Sequence, residues 1–195
     1  MNALVDEIKT RARLGLNAIQ AGDFGLVERA ARVRGGPRAL GGAPPVEWKL
    51  RHCLTLAANE VGFASWDQAR RVLSGQAVLG DDMGGFWHTA RCNSLLSHWF
   101  ASYGDAQASL DAASHRTLLP YRRQFVVVDD NYLRELGLAP AVANDEAGAR
   151  AAADVLAAWR ESGPDLMAAY GSPAWAVLCS HRLRTVRAAA RPVRR

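Results

Sequence analysis

Cysteine is scarce in this sequence. Cys53, Cys92 and Cys179 are the only three, too few and too scattered for a disulfide framework, which points to a reducing, cytoplasmic setting. No apolar run approaches the roughly 20 residues of a membrane span, so no membrane association is expected. The opening MNALVDEIKTRARL carries acids and lacks an apolar h-region, so a secretory signal is not expected either. Neither phosphate-loop spacing is present: there is no GxxxxGK[ST], and no GxGxxG after a strand. No CxxC knuckle occurs, and no cofactor is expected. Lysine is nearly missing, Lys9 and Lys49 being the only two.

What is present is ordinary globular material: 195 residues, 49% hydrophobic and 22% charged, enough for one domain or two small ones with a sizeable core. The net charge of +5 is unevenly placed. RLRTVRAAARPVRR, from Arg182 onward, holds six arginines and no acid, and removing those six charges from +5 leaves the remainder at −1. Basicity is therefore a property of one end.

The stretch Glu47–Leu73 reads as a helix–turn–helix unit. Apolar residues recur at helical spacing, Gly62 and Phe63 stand where a C′ glycine and its C″ contact are needed, and Ser65 with Gln68 make a capping box. Ahead of it, Val5, Ile8, Ala12, Leu16 and Ile19 form one stripe of a helix over 3–21. Gly22-Asp23 then stops that helix and starts a second, which ends in the loop Gly35–Pro45. The passage Ser74–Gly85 reads as a linker or hinge. FWHTARCNSLLSHWFASY, 86–103, is apolar over most of a helical circumference and predicts a buried aromatic helix, with a short helix following Gly104-Asp105 to Ala113.

At 118–128 the period changes, and LLPYRRQFVVV predicts a strand. Its pairing partner is either Leu118-Leu119 across a turn at Pro120-Tyr121 or a second copy of the chain in a homodimer. Asp129 or Asp130 caps a short helix that Gly137 ends. An alanine-rich helix is expected over 144–162, broken by Gly163-Pro164, and Ser172-Pro173 opens the last. The expectation is a mainly α protein: an N-terminal helical bundle (1–74), a C-terminal helical region (86–190) with one small strand or hairpin near 118–128, and a basic tail (191–195).

Two blocks, AIQAGDFGLVERA around Ala18–Ala30 and LRHCLTLAANEVGFASWDQARRVL, carry a resemblance. The second fits the pattern xLxxAQxxxAxExGFxSWxxLK at Leu54, Ala57, Glu60, Gly62, Phe63, Ser65 and Trp66. The N-terminal third thus resembles a small helical module of uncharacterised bacterial proteins, found ahead of ankyrin repeats or beside glyoxalase-related domains. No ankyrin-like repeat of about 33 residues follows here. The resemblance implies a helical fold and carries no catalytic activity.

Candidate chemistry is thin. His88 and Cys92, four apart on the expected helix, could share a metal, and Cys92 could form a thiolate pair with His88 or His98; His52-Cys53 and Cys179…His181 are the other Cys/His pairs. Packing is the plainer role for all three thiols, so no metal site is assigned beyond the candidates His88 and Cys92. A ligand pocket is expected, if anywhere, between the aromatic helix and the strand, at His88, Trp99, Tyr103, Tyr121 and Arg123. The side chains of Arg122 and Arg123 suit a carboxylate or phosphate, though pairing with Asp129 and Asp130 is the structural alternative. Arg182, Arg184, Arg187 and Arg191 offer electrostatic contact to a polyanion such as nucleic acid. The leading expectation is a non-catalytic, cytoplasmic interaction or regulatory protein that recognises a protein or polyanion; the alternative is a small-ligand-binding or enzymatic domain using the pocket named above.

Overall fold

A computed structural model describes residues 2–32, 45–111, 116–138, 153–154, 156–160 and 169–189. The expected loop 35–44, the start and break of the alanine-rich helix, and the tail 191–195 lie outside them. The fold is mainly α-helical with one three-stranded antiparallel sheet, and it divides into two units, Met1–Ser74 and Gly75–Arg195.

The first unit holds α1 (Ala3–Gln20), α2 (Gly25–Arg32), α3 (Leu50–Glu60) and α4 (Trp66–Leu73). Its helices start and stop where side chains satisfy free backbone groups. The Asn2 carboxamide oxygen accepts from Leu4 and Val5 N–H, and Ser65 Oγ accepts from Gln68 N–H at 3.2 Å. The reciprocal bond of Gln68 goes to Ala64 N–H at 2.6 Å, one residue earlier than a capping box places it. At the end of α3, Phe63 N–H reaches Ala58 O and Gly62 N–H reaches Asn59 O. That pair of bonds needs φ +99 at residue 62, which glycine takes without a Cβ clash. The α1 stripe is buried at Val5, Ile8, Ala12 and Ile19, but Gly15 rather than Leu16 completes it, because Leu26 of α2 lies where a Cβ at residue 15 would be. Glu60, its side chain 8% exposed at the end of α3, pairs with Arg29 of α2.

In the second unit the order is β1 (Ser97–Phe100), α5 (Tyr103–Asp111), β2 (Thr117–Tyr121), β3 (Gln124–Val128), α6 (Asp130–Glu135) and α7 (Pro173–Ala189), with residues 156–160 also helical. Strand β3 is central, between β1 and β2. The expected helix over 86–103 is not formed. Gly84–Trp87 make a turn, Ala90–Ser94 a 3₁₀ turn, and residues 97–100 strand β1. Thr89, Asn93, Ser94 and Ser97 bond the backbone outside a helix as readily as within it, while Trp99 and Phe100 suit a pleated surface. Strand β3 also needs a partner on each side, and β1 supplies the second.

The expected 118–128 strand is two strands. Its turn falls at Arg122-Arg123 rather than Pro120-Tyr121, with Tyr121 opposite Gln124 and Pro120 opposite Phe125. Residues directly opposite share a face, so Trp99, Val126, Leu119 and Tyr121 lie on one side and Phe100, Phe125 and Pro120 on the other. Helix α5 covers the second side, Tyr103 meeting Phe125 edge-on at 5.6 Å. It begins at Tyr103, before the Gly104-Asp105 expected to start it, because Ser102 Oγ accepts from Asp105 N–H and donates to the Asp105 carboxylate.

Candidate functional site

The loop that read as a linker is part of the second unit. Asp81 holds its first turn by accepting from Val78 N–H at 2.9 Å, and Asp82 accepts from Gly84 N–H at 2.8 Å. The loop then meets the hairpin tip backbone to backbone. Met83 N–H donates to Arg122 O and Arg122 N–H donates to Gly84 O, both at 2.8 Å. Arg122 sits at φ 51, the only non-glycine positive φ among the described residues. A two-residue hairpin loop favours such a left-handed first position, normally given to glycine. Arginine there costs about 1–2 kcal/mol, and the paired bonds to residues 83 and 84 hold it.

Between loop and tip lies a cleft of 250 Å³. Met83 and Phe125 bring apolar surface to it, Val78 and Leu79 are 41% and 49% exposed beside it, and Arg122, Arg123 and Gln124 supply polar groups. Tyr103 and Tyr170 line it as well. Tyr170 is buried, and that burial, with Tyr103 adding to it, pushes its phenol well above the ordinary range, so it stays a neutral donor. One acid, Asp81, also borders the cleft.

Five residues were expected to share a pocket, and the structure divides them. Tyr103 and Arg123 line the cleft. His88, Trp99 and Tyr121 cluster on the other face of the sheet, with ring centroids 5.1–5.6 Å apart and each pair edge-on. Under that cluster, the Tyr132 phenol oxygen lies 2.7 Å from His88 Nδ1 and 3.1 Å from Trp87 O. His88 Nε2 meets the Asn93 side chain at 2.9 Å.

The His88–Cys92 pair does not lie on a helix. Cys92 is 1% exposed, beside Thr89 Oγ1 at 3.4 Å, so its thiol is packed inside, the plainer of the roles open to it. Cys53 and Cys179 are buried too, and burial pushes both thiols up, which makes them inert. No group of three or more His, Cys, Asp or Glu among the described residues could hold a metal ion.

Expected to meet a polyanion, Arg182 is 7% exposed and donates from Nε to Phe86 O and from Nη1 to Leu136 O, each at 3.0 Å. Burial lowers it to about 10, so it remains a cation at neutral pH that pins two distant carbonyls. Arg184 is exposed; the side chain of Arg187 and all of Arg191 lie outside the described residues.

Sequence reasoning missed Met83, Val78 and Tyr170 at the cleft. The one available signal was the acid-and-glycine run GDDMGG, whose aspartates build turns. No helix among the described residues is long and apolar enough to cross a membrane. In comparisons with protein-family models, curated proteins and solved structures, the chain matches none of them.

Proposed function

We propose that the protein is a non-catalytic binding protein whose C-terminal unit takes a small organic anion in the cleft at the hairpin tip. The observation that carries this reading is Arg122, an arginine held at φ 51 by two 2.8 Å main-chain bonds at the mouth of a part-apolar cleft. Strain kept at one position and supported from outside is commonest at ligand sites. Arg122 and Arg123 both line the cleft, and the Arg123 guanidinium provides planar donors for a carboxylate or phosphate, while Met83 and Phe125 provide surface for an apolar body. A volume of 250 Å³ lies below the roughly 300–1,000 Å³ of drug-sized sites, which favours a ligand of metabolite size. The N-terminal unit, by its resemblance, is a helical module without chemistry of its own. A cytoplasmic setting completes the reading, supported by three free cysteines.

Calorimetric titration of the full chain with benzoate, hexanoate and inorganic phosphate tests it. Saturable binding of a carboxylate, weakened about tenfold or more by Arg123→Gln, a loss of about 1.4 kcal/mol, is expected. No binding of any of the three at millimolar concentration overturns it.

A further inference from the structure

The sheet has two edges, and the protein guards one of them. On β2, Pro120 has no N–H to offer, the Trp159 indole donates to Leu118 O at 2.8 Å, and Arg160 Nε donates to Thr117 Oγ1 at 2.9 Å. These are the devices that keep an edge from recruiting another strand. On β1 there are none. Among the described residues, no main-chain group of Ser97–Phe100 bonds to any segment other than β3. Leu96 and Trp99 are 59% and 41% exposed. From Cys92 to Gly104 there is no Asp, Glu, Lys or Arg and no proline, in a chain of which 22% is Asp, Glu, Lys or Arg.

We infer that this edge pairs with the β1 edge of a second copy of the chain, joining two three-stranded sheets into one. Charge decides the occupant. A charged foreign segment would find no counter-charge between residues 92 and 104, whereas a second copy meets no like charge. A two-fold axis perpendicular to the sheet makes the pairing antiparallel and self-complementary. Such an axis keeps each sheet face on its own side, so only residues of one face can oppose each other. Of the registers that satisfy that, two put the middle of β1 on the axis. One sets His98 against its own copy and leaves Trp99 opposite a serine. The other centres on Trp99, covers its exposed ring with its own copy, and sets His98 opposite Phe100 and Ser97 opposite Ala101. The second register is the one assigned, because it removes the larger apolar surface from water.

Sedimentation velocity of the full chain from about 1 to 300 µM reads the association directly, since a self-pairing edge gives a concentration-dependent mass. A shift from 21.1 kDa toward twice that value is expected, and Trp99→Lys, which sets two ammonium groups across the axis, should abolish it. Because Trp99 also packs on His88 and Tyr121, a second test spares it. Ser97→Cys and Ala101→Cys proteins are prepared separately, then oxidised alone and mixed. The three native cysteines are buried and should stay silent. Cross-linked dimer in the mixture, and little in either protein alone, supports the pairing and its register. A wild-type chain that stays monomeric throughout, or equal cross-linking in all three samples, overturns it.

Discussion

The two units are closed by different kinds of bond. In residues 2–74 most polar closures are local: Asn2 caps α1 within three residues, Asp23 turns into α2 by accepting from Gly25 N–H, and Ser65 opens α4. Longer reaches exist there, notably Arg29 to Glu60 and Asn2 to Leu73 O, but they join helices that local signals have already delimited. In residues 75–189 the defining bonds span the unit. Arg182 reaches Phe86 and Leu136, Trp159 reaches Leu118, and Tyr132 reaches both Trp87 and His88, separations of 41 to 96 residues. A cap is worth about 1 kcal/mol and can be lost alone. A buried cation holding two carbonyls leaves several desolvated groups stranded when it goes.

The largest expected effect follows. Arg182→Ala removes two charge-assisted bonds, to Phe86 O and to Leu136 O, and leaves the second carbonyl to the Thr185 hydroxyl. A loss of about 3 kcal/mol or more is expected, measured by urea unfolding, with hydrogen exchange rising first around residues 86–88 and 133–138. If stability falls by less than 1 kcal/mol, the contrast between the units disappears.

A pair of glycines gives a sharper comparison. Gly22 and Gly137 end α1 and α6 with the same two-bond pattern, at φ +86 and +72. A Cβ at Gly22 would meet nothing within 4 Å; at Gly137 it would stand 2.3 Å from Thr185 Cγ2 on α7. Thr185 is also anchored, donating to Leu136 O at 3.0 Å. Gly22→Ala should therefore cost about 1 kcal/mol, the backbone term alone. Gly137→Ala should cost a further 1–3 kcal/mol for the overlap. Equal thermal shifts for the two variants would show that Thr185 gives way freely.

This difference also explains what was legible in the sequence. Gly62, Phe63 and Ser65 announce their roles because the bonds they make stay within five residues. Gly22 and Gly137 announce themselves as helix ends for the same reason, but nothing near Gly137 in sequence says that Thr185 crowds it. Residues 86–103 were misread because their apolar pattern fits a buried helix all round, and only the need of β3 for a second partner makes 97–100 a strand. Arg182 sat among five other arginines and looked like part of a charged tail; its burial depends on two carbonyls 46 and 96 residues away. The cleft was half visible, through Tyr103 and Arg123, because the hairpin tip is local while the loop that closes over it is not.

The hairpin tip offers a test of opposite sign. Arg122→Gly relieves the left-handed strain and keeps both main-chain bonds to residues 83 and 84, so a gain of about 0.5–1 kcal/mol is expected. The same variant should weaken anion binding. Gain of stability with loss of binding is the pattern of a residue kept for its ligand; a loss of both would mean that the guanidinium, stacked 5.4 Å over the Tyr121 ring, holds the turn together.

The smallest expected effect lies on α7. Burial first, and the nearby Arg184 charge second, lower the His181 pKa from 6.5. The folded state therefore holds this ring neutral at pH values where the unfolded chain already binds a proton. Above about pH 6.5 both states are neutral and the full stability is present; as pH falls from there through the lowered folded value, stability is lost. Arg184→Gln removes only the lesser cause, so the acid-side slope should shrink without vanishing, whereas His181→Gln should remove the contribution of this ring entirely. Measured as the difference in urea midpoint between pH 7.5 and 5.5, the expected order of pH sensitivity is wild type, then Arg184→Gln, then His181→Gln. A slope unchanged by His181→Gln would assign the acid sensitivity to other groups and leave α7 held by Arg182, Thr185 and its apolar face alone.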